Sequence, residues 1–488
     1  MKNRTTVSMG LYKWRYKIAY TAMVLIFISL LLLVGLAIPG GLNEKEMAAA
    51  VASSSLSLSN FSPQMAIDLP YQLLQRGIIE LLGVSVLSIK LPTIIIAALS
   101  GMGLLLLLRT WFRRNIAILT ALMAFTIGPF LLSAQTGTPE IMYIFWPVWI
   151  LYIATLISRE SKTNPILKLV LLLLIAGSLY TPLSVYVLIA VLISIVIHPR
   201  LRHIVSNLNR LWLAIAISVG ILAISPLIIA IFREPSILAQ LFGVYQGIDI
   251  TASFGVLVSQ YLNFTSPIAD SILTPVYSLP VIIMTFIGLY SLIKINHTAR
   301  SYILLSWIVL LIPVIFIDPQ TVAITFIPAV LLTGYALDLI INSWYQIFPN
   351  NPYARVAGLI PIVIFIASIS IFSVDRFVYG YIYGAKPHIF LTDVSILTKE
   401  ASANKPDFVL VSSNEKDFYD LLVNRNSQLE GVELKTVETF DELTAGKSTF
   451  ATRSAARSAK NLPAPTKILT DASSHSADRF YIYKTAAK

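Results

Sequence analysis

The sequence contains no cysteine and few charged residues, and each shortage excludes classes of protein. Without cysteine there are no disulfides, iron–sulfur clusters or thiol catalysis, and redox chemistry does not indicate the compartment. Only 12% of the 488 residues are charged and 56% are hydrophobic, whereas soluble domains are about a quarter charged. This composition excludes a water-soluble enzyme, a disordered chain and a coiled coil. It indicates a polytopic membrane protein, because apolar runs long enough to cross ~30 Å of hydrocarbon recur along the chain.

The net charge of +11 is unevenly distributed along the sequence. Residues 1–374 contain 21 Lys and Arg against 11 Asp and Glu, whereas the remainder contains 15 against 14. The excess therefore belongs to the hydrophobic part, where basic residues orient helices. We interpret it as a topology signal and predict no nucleic-acid partner.

Eleven apolar runs predict membrane spans, and the basic residues between them predict their orientation. With the N-terminus inside, 17 basic residues fall on inner segments and four on outer ones, as the positive-inside rule requires. The first run is too long for a signal peptide and lacks a convincing cleavage site, so we predict a retained helix. An odd number of spans places the C-terminus outside. The runs are 18–39, 86–108, 115–133, 141–158, 166–180, 182–198, 211–232, 279–294, 301–317, 320–341 and 355–374.

The predicted fold is an all-α membrane domain followed by a small α/β domain. We divide the chain into a cytoplasmic N-terminus (1–17), a transmembrane domain (18–384) and an extracytoplasmic α/β domain (385–488). Two outer loops, about 39–85 and 233–278, are long enough to hold structure, and such loops are usually functional. In the first loop, residues 46–52 and 70–79 predict amphipathic helices at the membrane interface. The C-terminal domain has predicted strands at 408–411, 432–437 and 480–483 and a helix at 415–426.

Two carboxylates of the first outer loop are candidates for general-base chemistry. Glu44 follows the first span, and Asp68 precedes the second interfacial helix. An acid held against the membrane is partly desolvated, which raises its pKa and makes it a better base. The alternatives are structural: Glu44 as a first-turn acid favoured by the helix dipole, and Asp68 as an N-cap ahead of Pro70.

A succession of short motifs places these acids in a wider pattern. The motifs are Leu42-Asn43-Glu44, Asp68-Leu69-Pro70-Tyr71, Leu81-Leu82-Gly83-Val84-Ser85, Lys90-Leu91-Pro92, the Arg-rich inner turn 109–114 and Thr138-Pro139-Glu140. In this order they resemble the membrane glycosyltransferases of the C-type (GT-C) fold, of the protein-mannosyltransferase and aminoarabinose-transferase kind. The resemblance covers residues 18–160 best and the later spans by hydropathy only.

The resemblance implies an enzyme of the cell membrane that takes a sugar from a polyprenyl phosphate. The acceptor, a glycan, lipid or protein, lies on the outer face, and a first-loop carboxylate acts as general base in an inverting transfer. The usual Asp-Glu pair of the family is Asn43-Glu44 here. Because an amide is not a base, the role falls to Glu44, to Asp68 or to neither. A catalytically degenerate member and a lipid or solute transporter therefore stay open as alternatives.

Substrate-binding residues are sought among the few polar groups of the outer side. Lys90 and Arg233 are candidates for the lipid phosphate, with snorkelling to the interface as the alternative. Glu140 fits the resemblance, and Tyr245 is a candidate for stacking on a sugar or prenyl chain, although interfacial aromatics are commonly anchors. The five histidines form no zinc pattern. We predict no cofactor, with a carboxylate-only Mg²⁺ or Mn²⁺ site left open.

Overall fold

The structure is a computed structural model of the full chain. It describes residues 10–33, 41–57, 61–159, 165–206, 210–244, 250–264, 275–295, 298–319, 321–383, 391–439, 447–459, 462–470 and 478–484. The predicted domain boundary at residues 384–385 lies outside these ranges.

Each of the eleven apolar runs is largely helical over its described residues, because a backbone in hydrocarbon satisfies its hydrogen bonds internally. The helices of this part are α1 (Gly10–Leu32), α2 (Glu44–Ser54), α3 (Leu69–Leu82), α4 (Val86–Trp111), α5 (Arg114–Thr126), α6 (Gly128–Gln135), α7 (Met142–Arg159), α8 (Pro165–Ser178), α9 (Val185–Ile197), α10 (Pro199–Ser206), α11 (Arg210–Arg233), α12 (Ser236–Leu241), α13 (Ile250–Leu262), α14 (Leu279–Lys294), α15 (Ala299–Ile317), α16 (Ala323–Ile347) and α17 (Pro352–Tyr383). Both helices predicted in the first outer loop are present, as α2 and α3. The second loop contains α12 and α13.

Helix length and hydropathy identify fewer membrane spans than the eleven apolar runs predict. Within the described residues, six helices are long and apolar enough to cross a membrane, or up to eight if each bent pair is one span. The run 115–133 is bent by 57° between α5 and α6, where Gly128 and Pro129 interrupt the helix. α8 and α9 have 14 and 13 residues, fewer than the ~20 of an untilted span. The count of eleven spans stays a prediction.

The C-terminal domain is α/β, as predicted. It contains α18 (Asp393–Ala403), α19 (Lys416–Arg425) and α20 (Arg453–Ser458), with β1 (Phe408–Val411), β2 (Glu433–Thr436), β3 (Ser448–Thr452), β4 (Lys467–Thr470) and β5 (Asp478–Lys484). The sheet order is β2-β1-β3-β5-β4, with β1 parallel to both β2 and β3 and with β5 antiparallel to β3 and β4. The three predicted strands and the predicted helix are present. β3, β4, α18 and α20 were not predicted.

The C-terminal domain packs directly on the first outer loop. Leu42 and Leu391 form an isolated antiparallel bridge, with N···O distances of 2.9 and 2.7 Å. One apolar core contains Leu42 and Ile79 of the loop together with Leu397 and Phe418 of the domain. The loop and the domain therefore lie on the same side of the helical bundle.

Arginines at the opposite end of the bundle satisfy the backbone at helix ends. The guanidinium of Arg300 donates to the carbonyl of Trp111 at 2.5 Å, and Arg159 donates to that of Thr110. Arg355 donates to the carbonyl of Phe348, just after α16. The last carbonyls of a helix have no partner within it, and they attract cations. Three of the basic residues that are predicted to lie inside thus also stabilise helix ends.

We expect the C-terminus to lie outside, because 17 of the 21 basic residues before residue 375 are on the other side. A reporter that is active only in the cytoplasm, fused after Lys488, should be inactive. The same reporter placed ahead of Met1 should be active, which controls for expression. An active C-terminal fusion would contradict the topology and would mean that α8 or α9 does not cross.

Candidate active site

Asp68 lies directly before α3 in a backbone conformation that is uncommon for a residue with a side chain. Its φ of 55° and ψ of 24° are left-handed. Such conformations are sparsely populated and cluster at functional sites. The structural alternative for Asp68 was helix capping, but its carboxylate makes no capping hydrogen bond to α3. The side chain is therefore available for another role.

The turn between α8 and α9 holds Asp68 in place. The Asp68 N–H donates to the carbonyl of Tyr180 at 2.8 Å, and the Thr181 hydroxyl donates to the Asp68 carboxylate. Thr181 in turn accepts from Nε1 of Trp146 at 3.0 Å. The other carboxylate oxygen, Oδ1, is buried and accepts no hydrogen bond from any described residue. One oxygen is thus oriented by the protein, while the other has no hydrogen-bond partner among the described residues.

The surroundings of Asp68 favour its protonated form. The pKa of Asp68 is raised to about 7. Burial is the main cause, the hydrogen bond from Thr181 opposes the shift, and the negative charge of Glu140 adds to it. A general base works best when its pKa is close to the operating pH. The environment therefore suits Asp68 to proton transfer near neutral pH.

Glu140 lies in the short turn Pro139–Ile141 before α7, next to the first outer loop. Its Oε1 lies 3.8 Å from Nζ of Lys45 in α2, and its charge acts on Asp68. The structure therefore brings together Asp68 and Glu140, two of the carboxylates predicted for the site.

A second, fully buried carboxylate lies in α2 at Glu46. Its Oε1 is 3.7 Å from Nζ of Lys90 in α4 and accepts the N–H of Gly137 at 2.6 Å. Its Oε2 accepts the N–H of Asn43 at 2.7 Å. Burial raises the pKa of Glu46, while Lys90 and the two backbone donors lower it. A Cβ at Gly137 would lie 2.8 Å from the carbonyl oxygen of Ile89, so only glycine allows this approach.

Asn43 and Glu44 lie at the start of α2. The Asn43 side chain accepts the N–H of Glu46 at 2.7 Å, which completes a capping box at the start of α2. Asn and Asp cap helices about equally well. Glu44 is the first residue of α2, and its side chain is exposed. The buried carboxylate of this helix is therefore Glu46 rather than Glu44.

The other predicted substrate-binding residues lie in different places. Lys90 is 1% exposed, and its charge is balanced by Glu46. Arg233 is exposed at the end of α11. This end contacts the segment before Asp68, because Gln64 donates to Glu234 at 2.5 Å and Ala66 packs on Ala230. Tyr245 lies outside the described residues.

Sequence reasoning missed Glu46, Thr181 and Trp146. The Asn43-x-x-Glu46 spacing of a capping box was a signal for Glu46, but it does not reveal the pairing with Lys90. Nothing in the sequence connects Thr181 and Trp146 to Asp68. As for metals, the part of the chain that the structure describes contains no cluster of three His, Asp or Glu side chains suited to hold an ion.

Comparisons with known proteins agree with this architecture. The family model described as dolichyl-phosphate-mannose-protein mannosyltransferase matches residues 69–229, from α3 to near the end of α11. A structure of ArnT from Cupriavidus metallidurans bound to undecaprenyl phosphate covers 96% of this chain and 98% of its own, with 12% identity and a TM-score of 0.55. The chain has the GT-C fold. The resemblance inferred from the sequence is confirmed.

The GT-C fold also relates the chain to an archaeal enzyme. The Archaeoglobus fulgidus oligosaccharyltransferase, tethered with an acceptor peptide, matches over 86% of this chain with 12% identity and a TM-score of 0.53. This chain spans 64% of that protein's length. A structure of the archaeal oligosaccharyltransferase AglB from Archaeoglobus fulgidus, in complex with an inhibitory peptide and a dolichol-phosphate, also matches. Its TM-score is 0.52 at 12% identity, and the match covers 85% of this chain and 64% of AglB. No curated protein sequence matches significantly.

Proposed function

We propose that the protein transfers a sugar from a polyprenyl-phosphate donor to an acceptor at the outer membrane face, with inversion and with Asp68 as general base. The observation that carries the proposal is the Asp68 carboxylate, which is released from capping, oriented by Thr181 and shifted to a pKa of about 7. The fold shared with ArnT and AglB supports the choice of a lipid-phosphate donor.

The proposed reaction is a single displacement at the anomeric carbon. Asp68 takes the proton of the acceptor hydroxyl while the acceptor oxygen forms a bond to that carbon. The bond from the carbon to the phosphate oxygen breaks, and polyprenyl phosphate leaves with the electron pair. Attack opposite the leaving group inverts the configuration. We propose that side-chain cations rather than a metal stabilise the departing phosphate.

Asp68 is preferred over the neighbouring carboxylates because of how each is bound. Glu46 has both oxygens occupied by backbone donors and Lys90. Glu140 is paired with Lys45. Glu44 is exposed on the outer side of α2, where water would compete for any substrate proton. A direct test is to measure transfer of a radiolabelled sugar from synthetic polyprenyl-phosphate donors by the wild type and by an Asp68 variant.

The rate of transfer should rise with pH through about 7, because only ionised Asp68 accepts a proton and its pKa is about 7. Glu140→Gln should move this rise to lower pH, since the charge of Glu140 raises that pKa. Thr181→Val should move it to higher pH, since the Thr181 hydrogen bond lowers the pKa. The measurement is kcat/KM between about pH 5 and about pH 9. Shifts of both variants in the same direction would contradict the assignment of Asp68.

Arg233 is the proposed contact for the donor phosphate, because it is an exposed cation beside the segment that leads to Asp68. Arg233→Ala should weaken donor binding about tenfold, the usual loss for one hydrogen bond to a charged group. The affinity of polyprenyl phosphate can be measured with purified protein in detergent. Arg202→Ala, an exposed arginine in α10 on the inner side, is the matched control. Unchanged affinity in Arg233→Ala would mean that this residue only snorkels.

A further inference from the structure

A polar cleft lies between the C-terminal domain and the turn that joins α3 to α4. Its volume is about 390 Å³. One wall is formed by residues 82–85, and the other by residues 425–428 together with Thr398 of α18. α3 has 14 residues, so this cleft is about 20 Å from Asp68 along the helix. It is separate from the proposed transfer site.

The two walls of the cleft are fixed to each other by backbone contacts. The N–H of Val84 donates to the carbonyl of Arg425 at 3.4 Å, and Nδ2 of Asn426 donates to the carbonyl of Val84 at 3.0 Å. Gly83 has a φ of 70°, and a Cβ there would lie 2.7 Å from the Arg425 carbonyl oxygen. Glycine thus permits a close approach that a larger residue would prevent. The cleft is a built part of the fold.

The cleft adjoins the start of a candidate membrane span, where lipid headgroups would lie. The candidate membrane span of α4 begins at Val86, immediately after the cleft wall. Around this turn, the exposed fractions of Leu81, Leu82 and Leu87 are 84%, 58% and 45%. Clustered exposed leucines at the start of a span are suited to contact acyl chains near the membrane surface. Leu82 also lines the cleft. An apolar side chain that can contact an acyl chain therefore lies next to the polar groups of the cleft.

The polar groups of the cleft are suited to an anion. Arg425 supplies a permanent positive charge, and it forms no ion pair with any residue that the structure describes. Ser427, Gln428 and Thr398 add hydroxyl and amide groups. None of the described residues that line the cleft is acidic. Guanidinium groups with neighbouring neutral donors are typical of phosphate recognition.

We propose that this cleft binds the phosphate headgroup of an anionic lipid in the adjacent leaflet, with Arg425 on the phosphate and Leu82 against the lipid chain. The exposed leucines favour a lipid over free phosphate as the occupant. The proposal does not depend on sugar transfer at Asp68, because the two sites lie at opposite ends of α3.

The test is binding of short-chain phosphatidylglycerol to the full-length protein in detergent, measured by native mass spectrometry. Arg425→Gln should weaken retention about tenfold, as expected for a lost charge-assisted contact. Arg425→Lys should retain part of the binding. The control is Arg457→Gln, because Arg457 is an exposed arginine in the last turn of α20 in the same domain. Arg457→Gln should bind phosphatidylglycerol as the wild type does.

Two further ligands distinguish the source of the phosphate. Phosphatidylcholine should bind more weakly than phosphatidylglycerol, and inorganic phosphate should compete poorly with either. If inorganic phosphate competes as strongly as the lipid does, the lipid assignment is overturned and the cleft binds a soluble anion. Equal lipid binding by Arg425→Gln and the wild type would overturn the site itself. Sugar-transfer rates measured on the same variants report separately on the proposed function.

Discussion

Asp68→Asn is expected to lower the rate of sugar transfer by about 10²–10⁴-fold, the usual loss when a general base is removed. Asparagine keeps the size of the side chain and tolerates the left-handed backbone of residue 68, but it cannot take a proton from the acceptor. Because the carboxylate does not cap α3, the substitution removes no helix-capping bond. The measurement is the single-turnover rate of sugar transfer by purified protein.

The same variant should be more stable than the wild type, which a purely structural role would not produce. The folded-state pKa of Asp68 is about 7 against an ordinary value of 3.8, so the charged form is disfavoured by folding. This unfavourable contribution is absent below the ordinary pKa and fully present above pH 7. One pKa unit corresponds to about 1.4 kcal/mol, so a shift of about three units corresponds to a gain of about 4 kcal/mol at pH 8. The gain can be measured by melting in detergent. At pH below 4 the gain should vanish.

The control for Asp68 is Glu44→Gln, which removes an exposed carboxylate from the same loop. We expect near-normal transfer. If Asp68→Asn also transfers at a near-normal rate while folded, Asp68 is not the base. A catalytically degenerate member, or a lipid or solute transporter, would then be the better interpretation.

Lys90→Met is expected to destabilise the protein by about 3–5 kcal/mol, the typical loss when one partner of a buried ion pair is removed. Glu46 is 0% exposed and would be left without its countercharge. The loss should shrink at acid pH, where Glu46 becomes protonated. Apparent melting temperatures in detergent, measured at two pH values, would show it.

The double variant Lys90→Met/Glu46→Gln should recover most of this stability. Recovery should be incomplete, because Glu46 accepts two backbone N–H groups and the single amide oxygen of glutamine satisfies one. That residual loss is about 1 kcal/mol. A double variant as unstable as Lys90→Met would contradict the pairing. The affinity of the double variant for polyprenyl phosphate tests whether Lys90 contacts the donor phosphate. Unchanged affinity would mean that Lys90 only holds α2 against α4. A loss of affinity would support its predicted phosphate contact.

Hydropathy was sufficient to predict the long apolar helices of this fold. The backbone of each apolar run must satisfy its hydrogen bonds internally, so the described residues of each run are largely helical. The position of Asp68 directly before α3 was predictable, because an acid before Leu69-Pro70 is a local signal. Its role as a base stays a prediction. Strands with continuous apolar residues, such as β1 with four buried side chains, were also recognisable. β4 was missed because only one of its four residues is buried.

The partners within the site were not predictable, because they come from distant parts of the chain. Glu46 meets Gly137, and Asp68 meets Tyr180 and Thr181, and these contacts depend on how α2, α6 and α8 pack. The run around Thr181 suggested only a tight turn between two short spans. The bend between α5 and α6 was not predicted either. Hydropathy marks 115–133 as one apolar run, although Gly128 and Pro129 break the helix there.

The core that Leu42 and Ile79 share with Phe418 and Phe480 sets the order in which the protein can mature. The first outer loop is synthesised before β5, which follows it by about 400 residues. At usual translation speeds the intervening chain takes tens of seconds to make. Throughout that interval the apolar side chains of the loop lack their packing partners and are open to chaperones and proteases. A nascent chain arrested before β5 would therefore present an unfinished outer surface, which quality control could recognise.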